Sequence, residues 1–261
     1  MSPMTDRADY DLAVVGGGSG GFGAAVGAAR RGLRVLLVEA GPALGGTSTR
    51  GGVNTWEPGV SGPGLHAELY HRMAPTPVHA GVGKTVHFWS AVRPWGYSKV
   101  DRSLAYHDTL RRSTLTPEQW RRATYEPDAL AGEMARMLAE SGEVEVRLCT
   151  RFVAAEAEED TVGALILEAA GRQETVRARF VVDATGDIHV ARALGCGTYL
   201  GAEPRSLYDE PGAPEHHADR LNGVTLCYRI TPADPPAVEP LPHGVPPQPL
   251  PCTSSQCEYP C

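Results

Sequence analysis

The stretch Asp11-Leu-Ala-Val-Val-Gly-Gly-Gly-Ser-Gly-Gly21 decides the fold of this 261-residue chain. Its first five residues are an apolar run, which is typical of a buried parallel strand. A Gly/Ala-rich segment from Ser19 to Arg31 predicts a helix that ends at the next glycine. Leu33–Val38 is a second apolar run and predicts a second strand. Strand, helix and strand in this order form a βαβ unit with a right-handed crossover.

Within this unit lies the pattern Gly16-x-Gly18-x-x-Gly21. The first glycine permits a tight turn, the second lets the backbone approach a pyrophosphate, and the third lets the helix pack closely on the strand. Unpaired N–H groups and the dipole at the start of the helix favour an anion there. Because the pattern follows a strand and opens a helix, it predicts a dinucleotide site that includes Ser19 and Gly20.

Glu39 ends the second predicted strand and is followed by Ala40. A carboxylate at this place accepts hydrogen bonds from the hydroxyls of the adenosine ribose and repels a 2′-phosphate. The sequence therefore predicts that Glu39 and Ala40 border the adenosine half of the ligand, and it disfavours NADP.

Two further stretches resemble the FAD-dependent oxidoreductases related to the fumarate reductase flavoprotein group. Glu39-Ala-Gly-Pro-Ala-Leu-Gly-Gly-Thr47 resembles the extended fingerprint of that family. There a ribose-binding glutamate is followed by a Gly-Gly turn whose backbone, with a nearby hydroxyl, meets the pyrophosphate and ribitol. The resemblance thus implies that Gly45, Gly46 and Thr47 contact FAD.

Val181-Val-Asp-Ala-Thr-Gly-Asp187 resembles the second flavin signature of the same family. In the family this strand returns to the sheet and ends beside the cofactor, which implies contacts from Ala184, Thr185, Gly186 and Asp187. The resemblance also implies that the first strand of a preceding meander places a residue beside the adenine, for which Phe152 and Val153 are the candidates.

The remaining pattern predicts an α/β, Rossmann-like FAD-binding domain with a parallel sheet, the βαβ unit and a small antiparallel meander. Pro127 suits the first turn of a helix that runs to Gly142, and Val144–Leu148 alternates as a strand does. Three apolar runs between Phe152 and Phe180 predict the meander. A final strand, Phe180–Asp183, is followed by a predicted helix from Ile188 to Leu194.

The predicted FAD-binding domain is discontinuous, comprising residues 1–50 and 125–200. Residues 51–124 form an excursion that borders the flavin site rather than another layer of the sheet. Residues 201–230 begin an incomplete substrate domain, and residues 231–261, which hold ten of the 22 prolines, form an irregular tail. The resemblance implies a longer chain that returns to the flavin ring, so we expect a truncated gene product.

The composition narrows the function further. A formal net charge of −7 without a Lys/Arg block argues against a nucleic-acid partner. No apolar run approaches the ~20 residues of a membrane span, and no secretory signal is evident, so we expect a cytoplasmic protein. Cys149, Cys196 and Cys227 are expected to be buried free thiols. No metal site is expected, including at the three cysteines of the last ten residues.

No catalytic residue can be assigned from the sequence. The His, Tyr and Arg side chains of the excursion are expected to be structural or on the surface. They are His66, His71, His79, His87, Arg93, Tyr97 and Tyr106. The His216-His217 pair is expected to be solvated. By the resemblance, Thr49–Asn54 pass nearest the flavin ring and Trp56 reaches it.

The predicted function is therefore hydride transfer between an unknown small molecule and FAD. One alternative is a non-catalytic remnant that binds the ADP moiety of FAD. A second alternative is an NAD-binding dehydrogenase, against which the Gly-Gly-Thr and Ala-Thr-Gly-Asp turns argue.

Overall fold

The structure is a computed structural model that describes residues 8–56, 64–73, 75, 80–83, 122–159, 161–221 and 223. Contacts divide the chain into two compact units, Met1–Tyr228 and Arg229–Cys261. The second unit, which contains the predicted proline-rich tail, lies outside the described residues, as do residues 224–230 at the end of the predicted substrate-domain segment. The predicted domain boundaries stay predictions.

The first unit contains both helices and strands. In chain order they are β1 (Tyr10–Val15), α1 (Ser19–Ala29), β2 (Val35–Val38), a 3-10 turn (Gly46–Ser48), β3 (Thr55–Trp56), α2 (Leu65–Met73), β4 (Ala80–Gly83), β5 (Arg122–Tyr125), α3 (Pro127–Glu140), β6 (Val144–Arg147), β7 (Thr150–Glu158), β8 (Thr161–Ala169), β9 (Arg172–Val176), β10 (Ala178–Asp183), α4 (His189–Ala193) and α5 (Arg205–Tyr208). The predicted elements are present, with ends that differ by one or two residues.

Four parallel strands form the main sheet in the order β10-β1-β2-β6. Val15 lies level with Val38 of β2 on one side and with Asp183 of β10 on the other. The carboxyl ends of these three strands therefore meet at one edge, where ligands of open α/β sheets bind. The predicted fold class is confirmed.

Both faces of the sheet are covered, which explains why β1 and β2 are continuous apolar runs. Side chains on one face, such as Val14 and Leu37, belong to a cluster with α1 and α3. Those on the other face, such as Ala13 and Leu36, pack with apolar residues of the meander β7-β8-β9. A strand buried on both faces has no polar side to alternate with, so its apolar residues follow one another.

A second, three-stranded antiparallel sheet has the order β3-β5-β4. It lies in and beside the predicted excursion, and the sequence did not reveal it. The helix α2 of the same region is joined to α1 and α3 by ion pairs, since Glu68 contacts Arg30 and Arg72, and Arg72 contacts Glu140.

The predicted burial of two cysteines is wrong, because Cys149 and Cys196 are both exposed free thiols. Cys149 lies in the short turn between β6 and β7 with a φ of 50°, and its apolar neighbour Leu148 is exposed as well. Cys196 follows the glycine that ends α4. Apolar neighbours at a turn therefore did not imply burial. Cys227 lies outside the described residues.

Candidate dinucleotide site

The glycine loop between β1 and α1 forms the centre of the candidate site. Gly18 is the N-cap of α1, and in the described part of the chain no side chain caps this end of the helix. A Cβ on Gly18 or Gly20 would meet nothing within 4 Å, so open space lies next to the first turn. The first N–H groups of a helix have no partner within it, which makes this space suitable for a phosphate.

Gly16 and Gly21 explain why this loop needs glycine. Gly16 has a φ of 105°, and a Cβ there would lie 2.6 Å from the carbonyl carbon of Ala184. A Cβ on Gly21 would overlap the carbonyl oxygen of Gly16 and lie 3.2 Å from the Cβ of Ala184. The glycine loop and the Ala184 turn are therefore in direct backbone contact. Two patterns that lie far apart in the sequence form one site.

Glu39 lies beside the loop, at the end of β2. Its Oε2 accepts a hydrogen bond of 2.8 Å from the N–H of Gly17, and its Oε1 accepts one of 2.6 Å from the N–H of Gly41. These bonds fix the carboxylate next to the glycine loop. A carboxylate has about four acceptor positions, so room for ribose hydroxyls remains. Ala40, which follows, is exposed.

The Gly-Gly turn is joined to the glycine loop through the backbone. Gly45 donates to the carbonyl of Gly17 at 2.8 Å and has a φ of 101°. A Cβ on Gly46 would lie 3.3 Å from the Cα of Gly18, so the Gly-Gly turn packs closely on the glycine loop. The Ser48 hydroxyl lies 3.4 Å from that of Ser19, and Thr47 is exposed.

Asp183 organises the third turn, a role that the sequence did not reveal. Its Oδ1 accepts hydrogen bonds from the N–H and hydroxyl of Thr185, at 3.1 and 2.7 Å. Its Oδ2 accepts from the N–H groups of Val190 and Ala191, at 2.8 and 3.0 Å. The carboxylate therefore caps α4 from the end of β10 and holds the intervening turn. Gly186 and Asp187 lie exposed on that turn.

The pKa of Asp183 is lowered by this arrangement. Partial burial alone would raise it, but the hydrogen bonds from the Thr185 hydroxyl and from three backbone N–H groups favour the charged form more strongly. Asp183 is therefore ionised at neutral pH, and its charge stabilises the turn.

The segment from Thr49 to Trp56 leaves the site and is anchored to β5. Thr49 is buried, and its hydroxyl donates to the carbonyl of Leu44 at 2.5 Å. The fully buried Tyr125 donates its hydroxyl to the carbonyl of Val53 at 2.8 Å. Trp56 packs against Tyr125, with ring centroids 4.5 Å apart. Whether this segment borders the flavin ring stays a prediction.

The start of β7 lies beside Glu39, since the N–H of Thr150 donates to the carbonyl of Glu39 at 3.0 Å. Phe152 packs against the apolar cluster between the sheet and the meander. Val153 is the extra residue of a β-bulge between Phe152 and Ala154. Both candidates for the adenine contact lie on β7, the first strand of the meander, and the contact stays a prediction.

Four of the histidines considered in the sequence lie within the described residues. His66 stacks edge-on against Trp56 at 4.2 Å, and burial lowers its pKa. His71, His216 and His217 are exposed, which agrees with the solvated pair predicted at 216–217. The other candidates of the excursion, His79, His87, Arg93, Tyr97 and Tyr106, lie outside the described residues.

The described residues contain neither a candidate metal site nor a candidate membrane-spanning helix. No group of three or more His, Cys, Asp or Glu side chains there could hold a metal ion. No helix in the described ranges has the length and apolar character needed to cross a bilayer.

The family of the chain follows from comparison with known proteins. A family model described as FAD dependent oxidoreductase matches residues 11–246. The chain belongs to this family, and the predicted FAD-dependent oxidoreductase family and the predicted FAD cofactor are confirmed. The alternative of an NAD-binding dehydrogenase is not supported.

Individual relatives match over short stretches. The chain is 58% identical over 40 residues to hydroxyneurosporene desaturase of Rhodobacter capsulatus, which is 15% of this chain and 8% of the relative. It is 44% identical over 58 residues to 3-oxosteroid 1-dehydrogenase of Mycolicibacterium smegmatis, 22% of this chain and 10% of the relative.

Among solved structures, the chain is similar to a myxobacterial FAD-dependent chondrochloren halogenase. The sequence identity is 24% and the TM-score 0.49, with 70% of this chain and 39% of the halogenase chain covered. The chain therefore spans well under half the length of these relatives.

Proposed function

We propose that this chain binds FAD at the carboxyl edge of its parallel sheet and serves hydride transfer between flavin and an unknown small molecule. The observation that supports this best is the backbone contact between the glycine loop and the Ala184 turn. The glycine loop alone does not distinguish a flavin from a nicotinamide cofactor, but the family combines it with a turn such as that at Ala184. The names of two relatives, a desaturase and a dehydrogenase, agree with an oxidoreductase.

The described residues suit the ADP half of FAD. The uncapped N-terminus of α1 offers N–H donors to the pyrophosphate, and the missing side chains of Gly18 and Gly20 leave space for it. The carboxylate of Glu39 is fixed by two backbone N–H groups in a position to accept from the ribose hydroxyls. In this proposal Thr47, Thr185 and the backbone of Gly186 continue the contacts beyond the pyrophosphate.

When bound, the flavin supplies the redox chemistry, while the protein binds and orients it. The anchored segment from Thr49 to Trp56 is proposed to hold one side of the flavin site, because it leads directly from the Gly-Gly turn and is fixed by Tyr125. The substrate is proposed to be a small molecule rather than a nucleic acid. A cytoplasmic location is part of the proposal and agrees with the free thiols of Cys149 and Cys196.

A visible absorption spectrum of the purified full chain, with mass spectrometry of the released cofactor, tests the proposal. We expect a flavin spectrum and released FAD. The Glu39→Gln variant should bind FAD roughly tenfold or more weakly, because a charge-assisted hydrogen bond is lost. Colourless protein that takes up no FAD on titration contradicts the proposal.

A second outcome separates catalysis from binding alone. Bound flavin that small-molecule donors reduce under anaerobic conditions supports an oxidoreductase. Bound flavin that no donor reduces, in a chain that binds ADP as tightly as FAD, favours the non-catalytic ADP-binding alternative.

A further inference from the structure

Arg50 has a basic side chain next to the candidate site, and this side chain takes no part in the hydrogen bonds or ion pairs of the described fold. It follows the Gly-Gly turn and is exposed. Among the residues that the structure describes, its guanidinium has no hydrogen bond or ion pair. Nothing in the described fold therefore requires an arginine here.

The Arg50 side chain extends from the Gly-Gly turn to the adenosine end of the site, where it reaches Gly41. A Cβ built on Gly41 would lie 3.2 Å from Nη1 and 3.3 Å from Cδ of Arg50. The same Cβ would lie 3.0 Å from Oε1 of Glu39. The missing side chain of Gly41 thus lets a carboxylate oxygen of Glu39 and the guanidinium of Arg50 approach the same narrow position, here called the notch at Gly41.

Two opposite charges that border this notch suit a hydroxyl group. Glu39 and Arg50 do not form an ion pair with each other among the described residues, although both flank the same position. A hydroxyl donates to a carboxylate and accepts from a guanidinium at the same time, and both hydrogen bonds are charge-assisted. A ribose presents two neighbouring hydroxyls, so it can use both partners.

We propose that Arg50 is a second ribose-binding residue, which holds a hydroxyl of the adenosine ribose from the side opposite Glu39. This inference rests on the proposed binding of FAD at the same site. In this inference, the loop after the Gly-Gly turn contacts the adenosine half of FAD as well as any part nearer the flavin.

Isothermal titration of the full chain with FAD and with ADP tests the contact. Arg50→Ala should weaken the binding of both ligands by about tenfold, because one charge-assisted hydrogen bond is removed. Thermal stability of the ligand-free protein should stay unchanged. The matched control is Arg172→Ala, because Arg172 is also exposed and its guanidinium, like that of Arg50, has no hydrogen bond or ion pair with described residues.

Ligands that lack one ribose hydroxyl show whether the contact is to the ribose. Wild-type protein should bind 2′-deoxy-ADP or 3′-deoxy-ADP more weakly than ADP, and Arg50→Ala should lose most of that difference for one of the two. An equal loss in both proteins overturns the inference. Binding of ADP by Arg50→Ala within twofold of wild type overturns it as well, as does an equal weakening by Arg172→Ala. Wild-type protein that binds neither FAD nor ADP refutes the proposed function together with the inference.

Discussion

Gly21→Ala is the change that tests most sharply how the glycine loop and the helix are packed. Gly21 lies in the first turn of α1, and Gly27 lies near the end of the same helix. A Cβ at position 21 would overlap the carbonyl oxygen of Gly16, lie 3.0 Å from its carbon and 3.2 Å from the Cβ of Ala184. A Cβ at position 27 would meet nothing within 4 Å. The two substitutions are chemically identical and differ only in the space available.

The two substitutions should change the free energy of unfolding in opposite directions. Alanine is favoured over glycine inside a helix by up to about 1 kcal/mol, so Gly27→Ala should raise the free energy of unfolding by a few tenths to about 1 kcal/mol. Gly21→Ala gains no more than that from propensity, while forcing a side chain into a filled space costs about 1–3 kcal/mol. The overlapped atom belongs to the backbone of Gly16, whose N–H is fixed to the carbonyl of Val38, so we place the cost at the upper end.

Urea unfolding of the two variants and of wild type, without ligand, measures this difference. Gly21→Ala should be less stable than Gly27→Ala by about 2–3 kcal/mol. It should also bind FAD more weakly, because α1 must move away from β1 and take its N-terminal N–H groups with it. Equal stability of the two variants would refute the close packing of helix and loop.

The other predictions concern Asp183 and Tyr125. Asp183→Asn should lower the free energy of unfolding by about 1–3 kcal/mol in urea, because an amide cannot accept from both Thr185 and the start of α4; an unchanged midpoint contradicts this. The folded state lowers the pKa of Asp183, so the stabilisation by its carboxylate is complete above about pH 4 and is lost as the pH falls further. The urea midpoint of the wild type should therefore drop more between about pH 6 and pH 3 than that of Asp183→Asn. Tyr125→Phe removes the hydroxyl that donates to the carbonyl of Val53 and also interacts with the side chain of Ser48, so it should lower the free energy of unfolding by about 0.5–1.5 kcal/mol; an unchanged urea midpoint contradicts this.

The parts of the fold that follow local patterns could be predicted from the sequence. β1 and β2 are apolar throughout because both faces of the sheet are covered, and this produces an unbroken run such as Val35–Val38. The glycine pattern predicted the loop because a larger residue does not fit at two of its positions, as the structure shows for Gly16 and Gly21.

Features that depend on distant residues could not be predicted. The sheet β3-β5-β4 has strands of two and four residues and pairs Thr55 with Thr124, so no local period marks it. The capping role of Asp183 depends on how the chain turns back toward α4. The notch at Gly41 forms only because the side chain of Arg50 returns from the far end of the Gly-Gly turn.

The central claim is that one site at the carboxyl edge of the sheet is built for FAD. Parallel titrations of the ligand-free full chain with FAD, ADP, NAD⁺ and NADP⁺ test it most directly. We predict that FAD binds most tightly, that ADP competes with it, and that NADP⁺ binds more weakly than NAD⁺ because Glu39 repels the 2′-phosphate. Binding of NAD⁺ that is tighter than binding of FAD, or binding of FAD that ADP does not displace, would contradict the account.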